Sequence, residues 1–185
     1  AGSNSPVCEG GTINLTASTI AGATYSWTGP NSFTSTDQNP TIPNATAAMA
    51  GTYSVTATVN GCTGPAGTTV VVVNSTPAAP TAGSNSPVCE GGTINLTASP
   101  IAGATYSWTG PNSFTSTDRN PTIPNATSAM EGTYSVTATV NGCTNVAGTV
   151  HVIIRPSVGA PTAITLSAGT EPVCQLTDNT TTTTY

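Results

Sequence analysis

The chain has no lysine, and its only cations are Arg119 and Arg155. Seven acidic residues leave a formal net charge of −5 over 185 residues. A chain so poor in cations cannot neutralise a phosphate backbone, which argues against a nucleic-acid partner. It also lacks the basic cluster that holds a protein to anionic lipid. Long apolar runs are missing as well. The longest, Val70–Val73, falls far short of the ~20 residues that span a bilayer, and it reads as a buried strand. No window carries an amphipathic helical period. The sequence opens at Ala1 with neither an initiator Met nor a signal-peptide pattern, so it reads as a mature product or a fragment.

What the chain does have is a repeat. Residues 1–63 and 82–144 align at an offset of 81 with four differences: Thr19/Pro100, Gln38/Arg119, Ala47/Ser128 and Ala50/Glu131. The opening motif "SPVCEGGTINLTAS" at Ser5–Ser18 recurs at Ser86–Ser99 and, loosely, from Glu171. A period this long suits a string of small domains, each with its own core, better than a solenoid. The spacing predicts one domain over 1–76, a Pro-rich linker at 77–81, a second domain over 82–157, a linker at 158–162, and the first strands of a third domain over 163–185. The last segment cannot bury a core alone, so downstream chain or a neighbouring subunit is expected to complete it.

Abundant Thr and Ser alternate with apolar residues, which is a strand pattern. Thr12–Ser18 places Ile13, Leu15 and Ala17 on one face. Thr24–Thr28 does the same with Tyr25 and Trp27, and Thr52–Val59 with Tyr53, Val55, Ala57 and Val59. Thr68–Val73 closes the unit. Turn pairs such as Gly29-Pro30, Asn39-Pro40 and Asn60-Gly61 separate the strands. This is an all-β chain of antiparallel sandwiches. Three details narrow it to tandem immunoglobulin-like domains, beads on a string. Trp27 sits where such folds keep a core Trp on strand C, "AGTYSV" at Ala50–Val55 looks like the tyrosine corner opening strand F, and Ile13-x-Leu15-x-Ala17 looks like strand B. The expected core anchors are Trp27, Tyr53, Trp108 and Tyr134. The inter-sheet cysteines of antibody domains are absent; Ala17 and Val55 stand in their places.

The combination "PVCEGGTINLTAS…GATYSWTGPNSF…AGTYSVTATVNGC" resembles the tandem Ig-like (PKD-like) repeats of very large surface proteins and adhesins of gliding, type IX-secreting bacteria. The resemblance covers both full repeats and the start of the third. It implies export to the cell surface and a role as a stalk, spacer or fibre subunit.

Residues that could carry chemistry are few. His151, the only histidine, corresponds to Val70 in the first repeat, so it reads as a surface residue of the last strand. No Ser-His-Asp set, carboxylate pair or phosphate loop can be assembled. No catalytic or cofactor-binding residue is assigned, and the chain reads as a non-enzyme. Two widely spaced Cys and no His per repeat do not make a zinc site. Glu9 and Asp37 stand alone, short of a calcium site. Trp27, Tyr25, Trp108 and Tyr106 could form a sugar platform, but their alternation puts them on the core face. Phe33 and Phe114 are the better candidates for exposed aromatics touching a partner. Sequons begin at Asn14, Asn44, Asn74, Asn95, Asn125 and Asn179, each a candidate glycosylation site or an ordinary polar strand or turn residue.

Five cysteines remain: Cys8, Cys62, Cys89, Cys143 and Cys174. Exported chains normally oxidise them. In an Ig sandwich, strand B starts at one end and strand F finishes at the other, about 23 Å away for seven residues at roughly 3.3 Å each. A disulfide needs Cα atoms within about 7 Å. That favours a staple between successive beads, Cys8 with Cys143, leaving Cys62, Cys89 and Cys174 to pair with neighbouring repeats. Pairing within each bead (Cys8 with Cys62, Cys89 with Cys143) and free thiols remain alternatives. The expected function is a structural repeat of an extracellular filament or adhesin stalk. It would associate with itself head to tail through strand complementation by the C-terminal segment, with covalent glycans. The alternative is a carbohydrate-binding adhesion module.

Overall fold

The computed structural model describes residues 1–157. The expected linker 158–162, the third-repeat strands 163–185, Cys174 and Asn179 lie outside the described residues. The described residues divide into two compact units, one of Ala1–Pro77 with Val140–Thr144, the other of Ala78–Thr139 with the described residues from Asn145.

In the first unit, β1 (Gly2–Ser3), β3 (Ile13–Thr16) and β6 (Thr41–Ile42) make one antiparallel sheet, with Ile13 opposite Ile42. The facing sheet is built on β4 (Thr24–Gly29), β5 (Phe33–Ser35), β7 (Gly51–Val59), β8 (Cys62–Thr63) and β9 (Gly67–Val71). Trp27 on β4 stands opposite Val55 on β7, and Tyr53 opposite Thr69 on β9. The β7–β8 hairpin turns on Asn60 and Gly61, both at positive φ (49° and 78°), as a two-residue primed turn requires.

The inward positions of these strands close over a core of Ile13, Leu15, Trp27, Tyr53, Val55 and Val71. Trp27 and Tyr53 are fully buried, and each has its polar atom satisfied. The Trp27 indole N–H donates to the Gln38 carbonyl at 3.3 Å, and the Tyr53 hydroxyl to the Met49 carbonyl at 2.9 Å. Met49 ends a short 3-10 turn, Ala47–Met49, just before β7. A tyrosine at the start of strand F bonded to backbone a few residues upstream is the tyrosine corner of immunoglobulin-like domains.

Two expectations are corrected. Val70–Val73 is not a buried strand. Val71 is buried, but Val70 is 62% exposed and Val72 48%. The chain changes partners there: β9 runs antiparallel to β7, while β10 (Val73–Asn74) runs parallel to β2 (Val7–Cys8). The Ser5 hydroxyl accepts the Val72 N–H at 2.8 Å at the crossing point. Phe33 is not a free aromatic either. It is half-buried and meets the Tyr53 ring edge-on at a centroid distance of 5.6 Å; Phe114 and Tyr134 do the same.

The second sequence repeat follows this plan with β11 (Ala82–Ser84), β12 (Val88–Cys89), β13 (Ile94–Ala98), β14 (Thr105–Gly110), β15 (Phe114–Ser116), β16 (Thr122–Ile123), β17 (Gly132–Val140), β18 (Cys143–Thr144), β19 (Gly148–Val152) and β20 (Ile154–Arg155); of these, the end of β17 at Val140 and β18 group with the first unit, the rest with the second. Trp108 and Tyr134 are fully buried, and the Tyr134 hydroxyl donates to the Met130 carbonyl at 2.9 Å. The sequence differences between repeats have local meanings. Gln38 donates to the Ala17 carbonyl at 3.0 Å and to the Thr19 hydroxyl at 2.8 Å; Arg119 and Pro100 replace both partners of the latter bond together. Glu131, in place of Ala50, accepts the Ile154 N–H at 2.8 Å. Nothing in the structure explains Ser128 in place of Ala47.

Residues 78–81 belong to the second unit as packed chain. Pro80 is fully buried. Thr81 exchanges two hydrogen bonds with Ser99: its N–H donates to the Ser99 hydroxyl at 2.9 Å, and its carbonyl accepts the Ser99 N–H at 3.0 Å. The Pro80 carbonyl lies so close over Gly148 that no Cβ could stand there.

Candidate functional site

Cys8 ends β2, where the Glu9 N–H donates to the Asn74 carbonyl at 2.9 Å and so ties the strand end to β10. Two glycines follow. The Gly10 N–H donates to the Ala45 carbonyl and the Ala45 N–H to the Gly11 carbonyl, both at 2.8 Å, which anchors the turn to buried Ala45. The thiol position is therefore fixed by backbone on both sides. Cys143 opens β18, directly after the Asn141-Gly142 turn, whose residues have φ of 49° and 81°.

These two cysteines are bonded, with Cα atoms 5.6 Å apart across a sequence separation of 135 residues. Cys8 belongs to the first sequence repeat and Cys143 to the second. The bond stands within the unit formed by Ala1–Pro77 and Val140–Thr144. Cys143 is buried, whereas its counterpart Cys62 is exposed and carries a free thiol. The within-repeat pair Cys8–Cys62 is thus not formed. Cys89 is disulfide-bonded too, so it does not pair with Cys143; Cys174 lies outside the described residues.

Asn74, a candidate glycosylation site by its sequon, also makes a contact that sequence reasoning did not find. Its Nδ2 group donates to the Asn141 carbonyl at 3.0 Å, and the side chain is half-buried. It braces the turn that presents Cys143. The sequon pattern gave no sign of this role, but the departure between repeats did: Asn74 becomes Arg155. Asn14, Asn44, Asn95 and Asn125 are all exposed. Asn14 and Asn95 point outward from their strands, and Asn44 and Asn125 sit at turn positions with φ of 55°.

The remaining candidates carry no assembled chemistry. His151 is exposed on β19 opposite Thr133. Among the described residues no three His, Cys, Asp or Glu side chains gather in a way that could hold a metal ion, and no helix is long and apolar enough to cross a membrane. Burial raises the pKa of the Tyr53 and Tyr134 phenols above their ordinary value, because the phenolate would lose its water.

No known protein-family profile matches the chain, and no curated protein matches it in sequence. Solved structures do match. One chain from the crystal structure of a mouse coronavirus receptor-binding domain complexed with its murine receptor superposes with a TM-score of 0.51 at 16% identity, over 83% of this chain and 98% of that one. Murine CEACAM1b gives 0.48 at 16% identity, over 83% and 98%. Extracellular domains 3–5 of Drosophila OTK give 0.46 at 14%, over 80% and 58%. At such identities the likeness speaks for the fold alone. Taken with the strand order, the Trp on strand C and the tyrosine corner, the first of these superpositions makes the described residues a pair of immunoglobulin-like β-sandwich units.

Proposed function

We propose that the chain is a structural repeat of an extracellular bacterial filament or adhesin stalk. The Cys8–Cys143 bond carries this reading, because it ties together residues of two successive sequence copies. A covalent link from copy to copy is what a load-bearing array needs, since it resists extension where a peptide linker alone would stretch. The near-identity of the two copies, loops included, supports the same reading. Ligand recognition tends to diversify loops, whereas Thr19–Ala23 and Gly29–Asn39 each differ from their counterparts at one position. A sugar-binding role through the tryptophans finds no support, because Trp27 and Trp108 have no exposed ring face. Disulfides point to an oxidising compartment, and exposed Asn14, Asn44, Asn95 and Asn125 with the outward Thr rows are the places for covalent glycans.

Electron microscopy of the purified native material tests the proposal. Fibres with an axial repeat of one or two domains are expected. Monodisperse particles that bind a glycan array would sink the stalk reading.

A further inference from the structure

Asn74 stands between the two halves of the Cys8–Cys143 bond. It is the partner of Cys8 in the parallel β10–β2 pair, and its carbonyl accepts the Glu9 N–H at 2.9 Å. Its side-chain amide donates to the Asn141 carbonyl at 3.0 Å, two residues before Cys143. The Cys143 sulfur lies 3.9 Å from the Asn74 carbonyl oxygen and 4.0 Å from that of Asn141. One residue therefore positions both cysteines. The two sulfurs differ in access. Cys143 is only 1% exposed. Cys8 is half-buried, and Glu9 and Gly10 after it are exposed. The Cys8 sulfur lies 3.9 Å from the carbonyl oxygen of Gly142, which is itself exposed. A Cβ placed on Gly10 would meet nothing within 4 Å, so the space next to Cys8 is open. A thiol attacking Cys143 would have to pass through the packing that buries it; one attacking Cys8 would not. Access helps decide which sulfur of a disulfide is attacked.

We propose that Cys8 is a site of S-thiolation, where a small thiol opens the Cys8–Cys143 bond, and that Cys143, held by Asn74, expels the adduct and reseals it. In the opening step a thiolate attacks the Cys8 sulfur. A new S–S bond forms to Cys8, the Cys8–Cys143 bond breaks, and its electron pair leaves on Cys143, which takes a proton from water. Resealing is the reverse. Cys143 gives its proton to water, attacks the Cys8 sulfur and releases the small thiolate. The adduct keeps the oxidising equivalents of the original bond, so resealing needs no oxidant. The tie is lost only when a second small thiol removes the first as a small disulfide, leaving two cysteine thiols. The Asn74–Asn141 hydrogen bond keeps the turn before Cys143 seated, so Cys143 attacks as an oriented neighbour and not as a loose thiol. Glu9 sets the class of reagent: its exposed carboxylate next to Cys8 favours a neutral or cationic thiol over an anionic one. The inference stands on the bond itself and not on the filament reading.

Cysteamine, a small cationic thiol, is the probe. The full chain, with the exposed Cys62 thiol first capped by iodoacetamide, is treated with cysteamine and quenched with N-ethylmaleimide. Mass mapping then locates both groups. Cysteamine on Cys8 with N-ethylmaleimide on Cys143 is expected in about tenfold excess or more over the reverse arrangement. Equal amounts, or an excess of cysteamine on Cys143, overturn the proposal. Cys143→Ser, loaded at Cys8 with cystamine, should keep its adduct after free thiol is removed, while the adduct on the parent chain clears. Clearance at the same rate in both overturns the resealing step. Asn74→Ala should leave the opening rate unchanged and raise the ratio of Cys8 adduct to closed bond roughly fivefold, the effect of about one net hydrogen bond. Faster opening at both sulfurs would show that the substitution merely loosens the turn, and an unchanged ratio that Cys143 needs no holding; either result removes Asn74 from the proposal. Glutathione, which is anionic, should open the bond more slowly than cysteamine at equal thiolate concentration, and Glu9→Gln should narrow the gap. A gap that Glu9→Gln leaves untouched overturns the role given to Glu9.

Discussion

Gly29 lies flat against the ring of Tyr53, closer than any Cβ could stand, and Gly110 repeats the contact with Tyr134. The relationship explains why the core tyrosine can swing fully inward and still reach the Met49 carbonyl. Gly29→Ala must push the ring or the strand aside. Overpacking of this kind costs about 1–3 kcal/mol. The expected result is a lower denaturant midpoint for the variant. Replacing Gly61 by alanine is not a suitable control, because its φ is positive. Gly64→Ala is suitable, because its Cβ would meet only the Ala57 carbonyl at 3.6 Å.

The hydrogen bond itself is testable by Tyr53→Phe. That change keeps the ring and strands the Met49 carbonyl, a loss of about 1–3 kcal/mol if the group stays buried. Tyr134→Phe should cost a similar amount. Chemical denaturation of each variant against the parent decides it, and a change below a few tenths of a kcal/mol would mean that water takes the place of the hydroxyl.

The same two phenols set an alkaline limit. Burial raises their folded pKa above the ordinary value of 10.0. Below pH 10 both folded and unfolded chains hold these protons, and the native state suffers no penalty. Above about pH 10 the unfolded chain releases them first, so stability must fall as pH rises further. Spectrophotometric titration should show part of the phenolate absorbance appearing at higher pH in the native chain than in urea. Removing both phenols as Tyr53→Phe with Tyr134→Phe should abolish that late part.

Much of the sandwich was legible because half-buried strands alternate. Ile13 and Leu15, Tyr53 and Val55, and Tyr25 and Trp27 read as inward pairs on period alone, and they line the core. Val70–Val73 offered no alternation, so its sequence could not reveal that the strand changes partner at Val72 and exposes alternate residues. Two-residue strands such as β1 and β2 are too short to show a period. Proline-rich composition made residues 77–81 look like a spacer. The sign of their packing was elsewhere, in a glycine at a strand position that leaves room for the Pro80 carbonyl. Phe33 looked like a loop-tip aromatic because the short β5 strand that folds it back onto Tyr53 has no pattern of its own.

Trp108→Ala removes the largest fully buried side chain of the second unit together with its indole bond to the Arg119 carbonyl at 3.2 Å. A truncation of this size costs roughly 3–5 kcal/mol, a large share of the stability of a small domain. The second unit should melt early in this variant, and the first in Trp27→Ala. Calorimetry on both variants is the check. An unchanged melting profile in either would place the indole outside the core and revive the sugar-platform alternative.

The cysteines give the last prediction. Cys62 is exposed with a free thiol, while Cys8 and Cys143 are bonded. Iodoacetamide applied without reductant should therefore label Cys62 and leave Cys8 and Cys143 untouched. Non-reducing peptide maps, made with a protease other than trypsin because Arg119 is the one ordinary tryptic site (Arg155 precedes Pro156), should yield a Cys8–Cys143 peptide. Recovery of Cys8–Cys62 instead would require the strand-B and strand-F ends of one sandwich to meet, which contradicts the topology found. Reduction should matter more than one bond's local contacts suggest. The closed loop spans 135 residues, and chain-entropy arguments give about 5 kcal/mol for a loop of this length if it unfolds as one. A smaller loss on Cys8→Ser with Cys143→Ser is expected where the two units unfold separately, since only the chain that unfolds gains the freedom the bond withheld. Comparing unfolding of this double variant with that of the parent, in one transition or two, measures how far the disulfide couples the two copies.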